Sequence, residues 1–245
     1  NAAAKRQLTT LNVEGLTAGG AKGIFKAVDA SGNTYELADD GSIQINRNEE
    51  LTLTFTPDDF DDRYYSDLTG EKGESFSILT ALTDTTDGNK DLFATATFNW
   101  TEKSYEITYT PTKADVTLKA VFTPSHIVHL HVTGGTAEVT DNTLVTKETG
   151  ASQFQHVIVA DDKTVEVKLK DTTANGLAPT AYWSDVSESP EHAGMDVSAA
   201  IQTTGAKTYT YTTQKVKQPQ ALNVTFEQGQ TVEVTVNNGK LLNDD

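Results

Sequence analysis

The chain has 245 residues, with 19 basic against 35 acidic side chains, a formal net charge of −16 and no cysteine. A surface this acidic repels nucleic-acid phosphates and anionic membranes, so neither is an expected partner. The lack of cysteine removes disulfides and thiolate metal sites, and no apolar run approaches the roughly 18 residues that would signal a membrane span.

In chain order, the elements read as short strands with period-two alternation. They are LTLTF (51–55), ATATF (94–98), YEITY (105–109), VTLKAVF (116–122), VEVKL (165–169), TYTYT (208–212) and VEVTV (232–236). Turn pairs such as Asp40-Gly41, Gly134-Gly135 and Asn238-Gly239 separate them. Only 74–92 and 188–200 leave room for a short helix. The pattern predicts an all-β protein. The start, NAAAKRQ, reads as the beginning of a processed mature protein or of an excised fragment.

The sequence also repeats itself. NEELTLTF (48–55) parallels DKTVEVKL (162–169), and YYSDL (64–68) parallels YWSDV (182–186). KSYEITY (103–109) parallels AKTYTYT (206–212), and VTLKAVF (116–122) parallels QALNVTF (220–226). The matches keep their order. They divide the chain into a β-unit over 1–125, a second over 126–228, and a segment 229–245 that opens a third unit or is exchanged with another molecule. The joint FTPSHIV is too short to let neighbouring units swing freely.

The repeat weighs the candidate chemistry. His129 and His131 stand two apart in HIVHLHV, the spacing of two metal ligands on one strand face. Their counterparts in unit one are Thr10 and Asn12, whereas Leu130 and Val132 match Leu11 and Val13. The expectation is that Leu130 and Val132 face the core, that the histidines face solvent, and that no metal is bound, since spacing supplies no third ligand. Asp58, Asp59, Asp61 and Asp62 form an oxygen-rich loop of the kind calcium favours, but unit two replaces it with DTTANG and the spacing of a calcium loop is missing. Tyr65 and Trp183 are candidate ligand-facing aromatics for stacking on a sugar, with core packing as the plainer role. Asp67 and Asp185 read as structural turn residues. No G-x-S-x-G elbow, phosphate-cradling glycine loop or histidine shared by both units is present, so no enzyme and no cofactor are expected.

Each unit opens with an alternating strand and a glycine turn (LNVEG, LHVTGG, VTVNNG) and closes with a strand such as ADVTLKAVF. With Trp183 in the middle segment and Val116 to Phe122 at the close, the chain resembles divergent internalin-type B-repeats, related to the Listeria–Bacteroides repeats of secreted bacterial surface proteins. The resemblance implies a β-grasp-like unit; the strand count suits an immunoglobulin-like sandwich equally. It implies a stalk, sheath or adhesin segment outside a bacterial or archaeal cell, with neighbouring repeats, other copies, surface glycans or host proteins as partners. Two alternatives stand beside it. One is a filament or surface-layer subunit that donates Thr231, Val232, Val234 and Val236 as a strand to its neighbour. The other is a carbohydrate-binding module.

Overall fold

The computed structural model describes residues 6–18, 21–57, 76–99, 101–139, 145–149, 154–174, 176–185 and 194–229. Among them the architecture is all-β, with two short 3₁₀ turns, Phe93–Thr95 and Ser198–Ala200, and no α-helix. Residues 76–84, inside one of the two windows left open for a helix, are a strand; the described residues of the other window form the two-residue strand Met195–Asp196 and the second 3₁₀ turn.

The first half runs β1 (Leu8–Glu14), β2 (Thr17–Ala18), β3 (Ala21–Asp29), β4 (Thr34–Glu36), β5 (Ser42–Asn46), β6 (Leu51–Pro57), β7 (Phe76–Asp84), β8 (Lys90–Asp91), β9 (Thr97–Asn99) and β10 (Ser104–Tyr109). Then comes β11 (Asp115–Thr133), 19 residues long. The second half runs β12 (Gly135–Val139), β13 (Val145–Thr149), β14 (Phe154–Ala160), β15 (Glu166–Asp171), β16 (Thr180–Asp185), β17 (Met195–Asp196), β18 (Gln202–Gly205), β19 (Thr208–Thr212) and β20 (Gln220–Thr225).

Alternation of small β-branched and polar residues makes these strands and gives each one apolar face. In β6, Leu51, Leu53 and Phe55 are buried while Thr52 is exposed; in β15, Val167, Leu169 and Asp171 are buried between exposed neighbours. The buried faces meet in two clusters. One gathers Leu11, Phe25, Ile45, Leu53, Phe55, Leu82, Ile107 and Leu118; the other gathers Val128, Leu130, Val167, Leu169, Trp183, Tyr211 and Leu222. Each fully buried aliphatic or Phe side chain contributes about 1.5–3 kcal/mol over exposure. Both clusters lie between two sheets, so the sandwich form holds rather than the helix-covered β-grasp alternative.

The two sandwiches share their strand order. In the first, β1 lies parallel to the start of β11 (Leu11 beside Val116) and antiparallel to β5, and β7 pairs with both β11 and β8. In the second, the end of β11 lies parallel to β20 (Leu130 beside Leu222) and antiparallel to β14, and β16 pairs with both β20 and β17. The facing sheets run β3-β6-β10-β9 and β12-β15-β19-β18. Small details recur too. Asn48 and Asp162 hold positive φ of 63° and 61°, and Lys103 and Lys207 of 53° and 60°. The described strand of the first half whose pairings match those of β16 is β7, and the YYSDL segment lies outside the described residues.

β11 closes the first sandwich and opens the second without a break, so the main sheets of both halves form one ten-stranded sheet. The joint FTPSHIV is therefore strand, not linker. Pro124, which has no N–H to give, sits where the ladder with β1 has ended at Lys119 and that with β20 has not begun. Its carbonyl accepts from the Asp161 N–H at 2.8 Å.

Two glycines in each half let the closing strand approach. Gly15 (φ +82°) and Gly134 (φ +70°) end the opening strands, and a Cβ there would stand 2.0 Å from the Ala120 carbonyl oxygen and 2.3 Å from that of Phe226. Gly23 and Gly135 lie under the rings of Phe122 and Phe226, where a Cβ would fall 2.2 and 2.4 Å from ring carbons. Gly23→Ala and Gly135→Ala are each expected to cost about 1–3 kcal/mol through overpacking. Urea unfolding followed by Trp183 emission checks this: the midpoint should fall in Gly135→Ala and recover when Phe226→Leu is added.

Candidate functional site

The residues nominated by sequence fall in three places. Asp58, Asp59, Asp61, Asp62, Tyr65 and Asp67 lie outside the described residues, as do Thr231, Val232, Val234 and Val236. Trp183 is buried in the second core at 5% exposure, so it is not a ligand-facing aromatic. It points inward because β16 alternates, with Ala181 and Trp183 on the core face and only half-burial of Tyr182 between them. The histidines lie on β11.

Leu130 and Val132 face the second core, as their counterparts Leu11 and Val13 face the first. The expectation that the alternate positions are solvent-facing is overturned. His129 is 2% exposed and His131 is half-buried. On this face Ser125, Ile127, Ile158, Ala221, Ser184 and Asn223 are all buried, and Ile127 and Ile158 join the first core cluster. The matching face of the first half carries Asn12, Glu14, Asp115 and Lys119, none of them buried. Charged residues keep that face in water, whereas Ile, Ala and Ser on the second allow it to be covered. A position's counterpart therefore predicted its face but not its environment.

Beside the joint, His126 is buried and its Nε2 lies 2.6 Å from the Asp161 carboxylate, while its Nδ1 has no partner. The neighbouring Asp162 is held by Lys215 at 2.8 Å and Lys217 at 3.5 Å. The Lys215 hydrogen bond is the main cause that keeps the Asp162 carboxyl below its ordinary range. These contacts tie the turn after β14 to the joint.

A cleft in the first half gathers Asp84, Asp87, Asp91, Lys90, Lys113 and Tyr109. Its carboxylates are engaged. Asp84, buried at 4%, accepts from the Thr86 and Asp87 N–H groups and from Tyr109 Oη at 2.9 Å. Asp91 caps the first 3₁₀ turn through the N–H groups of Phe93 and Ala94. Asp196 does the same for the second through Ser198. Lys113 spans to the Thr86 carbonyl and to Asp87. Carboxylates bound to backbone N–H groups in this way fix turns. Sequence reading missed the repeated caps, although DLFAT (91–95) and DVSAA (196–200) carry the signal: an Asp, an aliphatic residue, a variable position and then two small residues.

Among the described residues no group of three His, Asp or Glu side chains is placed to hold a metal ion, and no helix is long and apolar enough to cross a membrane. No lysine with a described side chain is buried in either core.

No protein-family model matches the chain, and no curated protein matches it. Among solved structures it is similar to major pilins of Streptococcus pyogenes. A point mutant of one such pilin aligns over 91% of this chain and 98% of its own, at 8% identity and a TM-score of 0.25. The T3.2 pilin gives 7% identity and 0.26 over the same shares. The T-13 pilin gives 11% and 0.24 over 92% of this chain and 98% of its own. At TM-scores this low the likeness carries no weight for function, which must be read from the chain's own strand pairing.

Burial holds the phenols of Tyr105, Tyr109 and Tyr211 above their ordinary value, and the bond to Asp84 raises Tyr109 further. The fold thus favours the neutral phenols. Their contribution is complete below the unfolded value of about 10 and is lost as pH rises beyond it. Urea midpoints are expected to hold up to about pH 9 and to drop between roughly pH 10 and 12. Tyr109→Phe, which leaves the buried Asp84 one donor short, should cost about 1–3 kcal/mol at neutral pH and shallow the alkaline drop.

Proposed function

We propose that this chain is a non-catalytic, load-bearing segment of an extracellular surface protein, a stalk, sheath or adhesin repeat built from tandem β-sandwiches. The observation that carries this reading is the parallel pairing of opening and closing strands in both halves. Thr10–Glu14 lies along Asp115–Lys119, and Val128–Thr133 along Gln220–Thr225. The strand by which the chain enters each sandwich is thus bonded to the strand by which it leaves. Tension along the chain slides the two past one another, so every bond between them is loaded at once instead of being peeled singly. The shared strand β11 passes that load from one sandwich to the next with no flexible link. A cysteine-free, acidic composition suits an exposed and soluble array.

Single-molecule pulling tests the reading. Two unfolding events are expected, each releasing roughly 30–40 nm at about 3.5 Å per residue, at forces typical of sheared rather than peeled ladders. Thr10→Pro removes the N–H that bonds the Ala114 carbonyl at 2.8 Å and should weaken one event only. Unfolding at low force in wild type, or an unchanged pair of events in Thr10→Pro, overturns it.

A second reading follows from the same topology. In β11 the residues after a closing strand become the opening strand of the next unit. The sequence QTVEVTV (230–236) follows β20 in the same way, and as a strand exchanged between copies it would build a filament by β-augmentation. Truncation after Gln228 should then abolish assembly seen by sedimentation, and leave the molecular weight unchanged if the chain works only as a tandem spacer.

A further inference from the structure

The open side of the first sandwich leaves a place that the second half fills. There β14 carries β13 along its outer edge, antiparallel, with Val145 beside Ile158 and Thr149 beside Phe154. In the first half β5 is the counterpart of β14, since each lies antiparallel to the opening strand of its half. Yet the strand before β5 in the chain, β4, turns away and pairs with β3 of the facing sheet. Among the described residues β5 therefore has a strand neighbour on one edge only.

Hydrogen bonding shows which backbone groups that leaves spare. The Val13 N–H bonds the Gly41 carbonyl at 3.1 Å, and the Arg47 N–H bonds that of Gln7 at 2.8 Å. Antiparallel ladders alternate, so Ile43 and Ile45 turn their backbone groups to β1 while Gln44 and Asn46 turn theirs outward. The Gln44 side chain bonds Thr10 Oγ1 at 2.7 Å and so lies over β1, clear of this edge. On β4 the Asp29 N–H bonds the Asn33 carbonyl at 3.0 Å, which by the same alternation turns Thr34 and Glu36 outward. Between the two edges runs a groove of about 450 Å³, with Thr34, Tyr35, Ile43 and Gln44 in its walls. Tyr35, and Leu37 two residues on, are only partly buried against the first core. Spare backbone groups beside a half-covered apolar floor are what an added strand takes up.

We propose that this groove receives residues 230–236 of a second copy, laid along β5 as β13 is laid along β14; the proposal rests on the strand-exchange reading above and names its receiving edge. In QTVEVTV, Val232, Val234 and Val236 alternate with Thr231, Glu233 and Thr235. The valine face covers Tyr35 and extends the buried row of Ile43 and Ile45, and the other face meets water. Reach makes the donor a different molecule. Gln44 lies opposite Thr10, which is beside Asp115, whereas the Phe226 N–H bonds the Thr133 carbonyl at the other end of β11. At the rise of a strand those ends are about 60 Å apart. The stretch from Phe226 to Val236 extends at most about 35 Å. Direction agrees as well. Both β20 and β1 run parallel to β11, so a segment that leaves β20 and lies antiparallel to β5 keeps its heading in the next copy. Copies joined this way meet head to tail through unlike surfaces, the arrangement that gives an open filament.

The test uses the full chain, whose lack of cysteine makes introduced thiols unambiguous. Gln44→Cys is mixed under mild oxidation with Thr231→Cys, Glu233→Cys or Thr235→Cys, and at least one mixture should give disulfide-linked dimers. Thr204→Cys, on the exposed strand β18, should give none with the same donors. A double variant joining Gln44→Cys to the reactive donor position should form a ladder of multimers and no internally looped monomer. Gln44→Pro removes an outward N–H and leaves the bonds to β1 in place; with folding verified by circular dichroism, it should weaken self-association in sedimentation about tenfold. Assembly that is abolished by truncation after Gln228, yet untouched by Gln44→Pro and silent in every thiol mixture, overturns the groove and spares the strand-exchange reading. Looped monomers, or equal crosslinking through Thr204→Cys, overturn the groove in the same way. A wild-type chain that stays monomeric at every concentration overturns both.

Discussion

The constraint on which the structure depends is that each sandwich is closed by pairing its first strand with its last, in parallel. Parallel neighbours cannot be joined by a tight turn; they demand a long excursion between them. Here the excursion is the rest of the sandwich, about a hundred residues in each half, so the closing pair is also the longest-range contact of its unit. The glycines at the ends of the opening strands belong to this constraint. Gly15 and Gly134 turn the chain out of the sheet under the carbonyls of the closing strand, and Gly23 and Gly135 clear space for its terminal phenylalanine. Side chains at these four positions would hold the last strand off the first.

Much of this was legible in the residues. Period two gave the strands, and the ordered matches between halves gave the glycine turns, the charged turns before β6 and β15, and the closing strands ending in Phe122 and Phe226. What was not legible follows from physics that lies outside any single strand. That FTPSHIV continues as strand depends on neighbours from both sandwiches satisfying its backbone on either side of Pro124. That β7 is the counterpart of β16 is hidden because FSILTALTD and TAYWSD share pairing partners but not side chains. The small Asp-headed caps at 91 and 196 escaped because a single carboxylate among 35 acids draws no notice until its N–H partners are seen.

The histidines show where reasoning by repetition fails. Duplicated positions inherit a direction, since alternation fixes which face a residue occupies. They do not inherit what lies above that face. In the first half the outer face keeps Glu14, Asp115 and Lys119 in water; in the second the same face carries Ile127 and Ile158, which pack into the first core cluster, with Ala221 and His129, all buried. The acidic cleft of the first half shows the reverse case, in which the conspicuous carboxylates of Asp84 and Asp91 hold turns through backbone N–H groups.

The unbroken strand between the halves also sets the timetable on which the chain can mature. As it emerges from synthesis, the first sandwich is completed once residues near Phe122 appear, and the same stroke extrudes the opening strand of the second, one edge of which is covered by β14 soon after. The other edge waits about ninety residues for Gln220–Thr225 to arrive and cover it. Over that interval a nascent molecule carries a templated, half-dressed sheet, and nearby siblings at the same stage are its natural hazard. Histidines interrupt the aliphatic residues along 126–132, which keeps that waiting edge from being an unbroken apolar run.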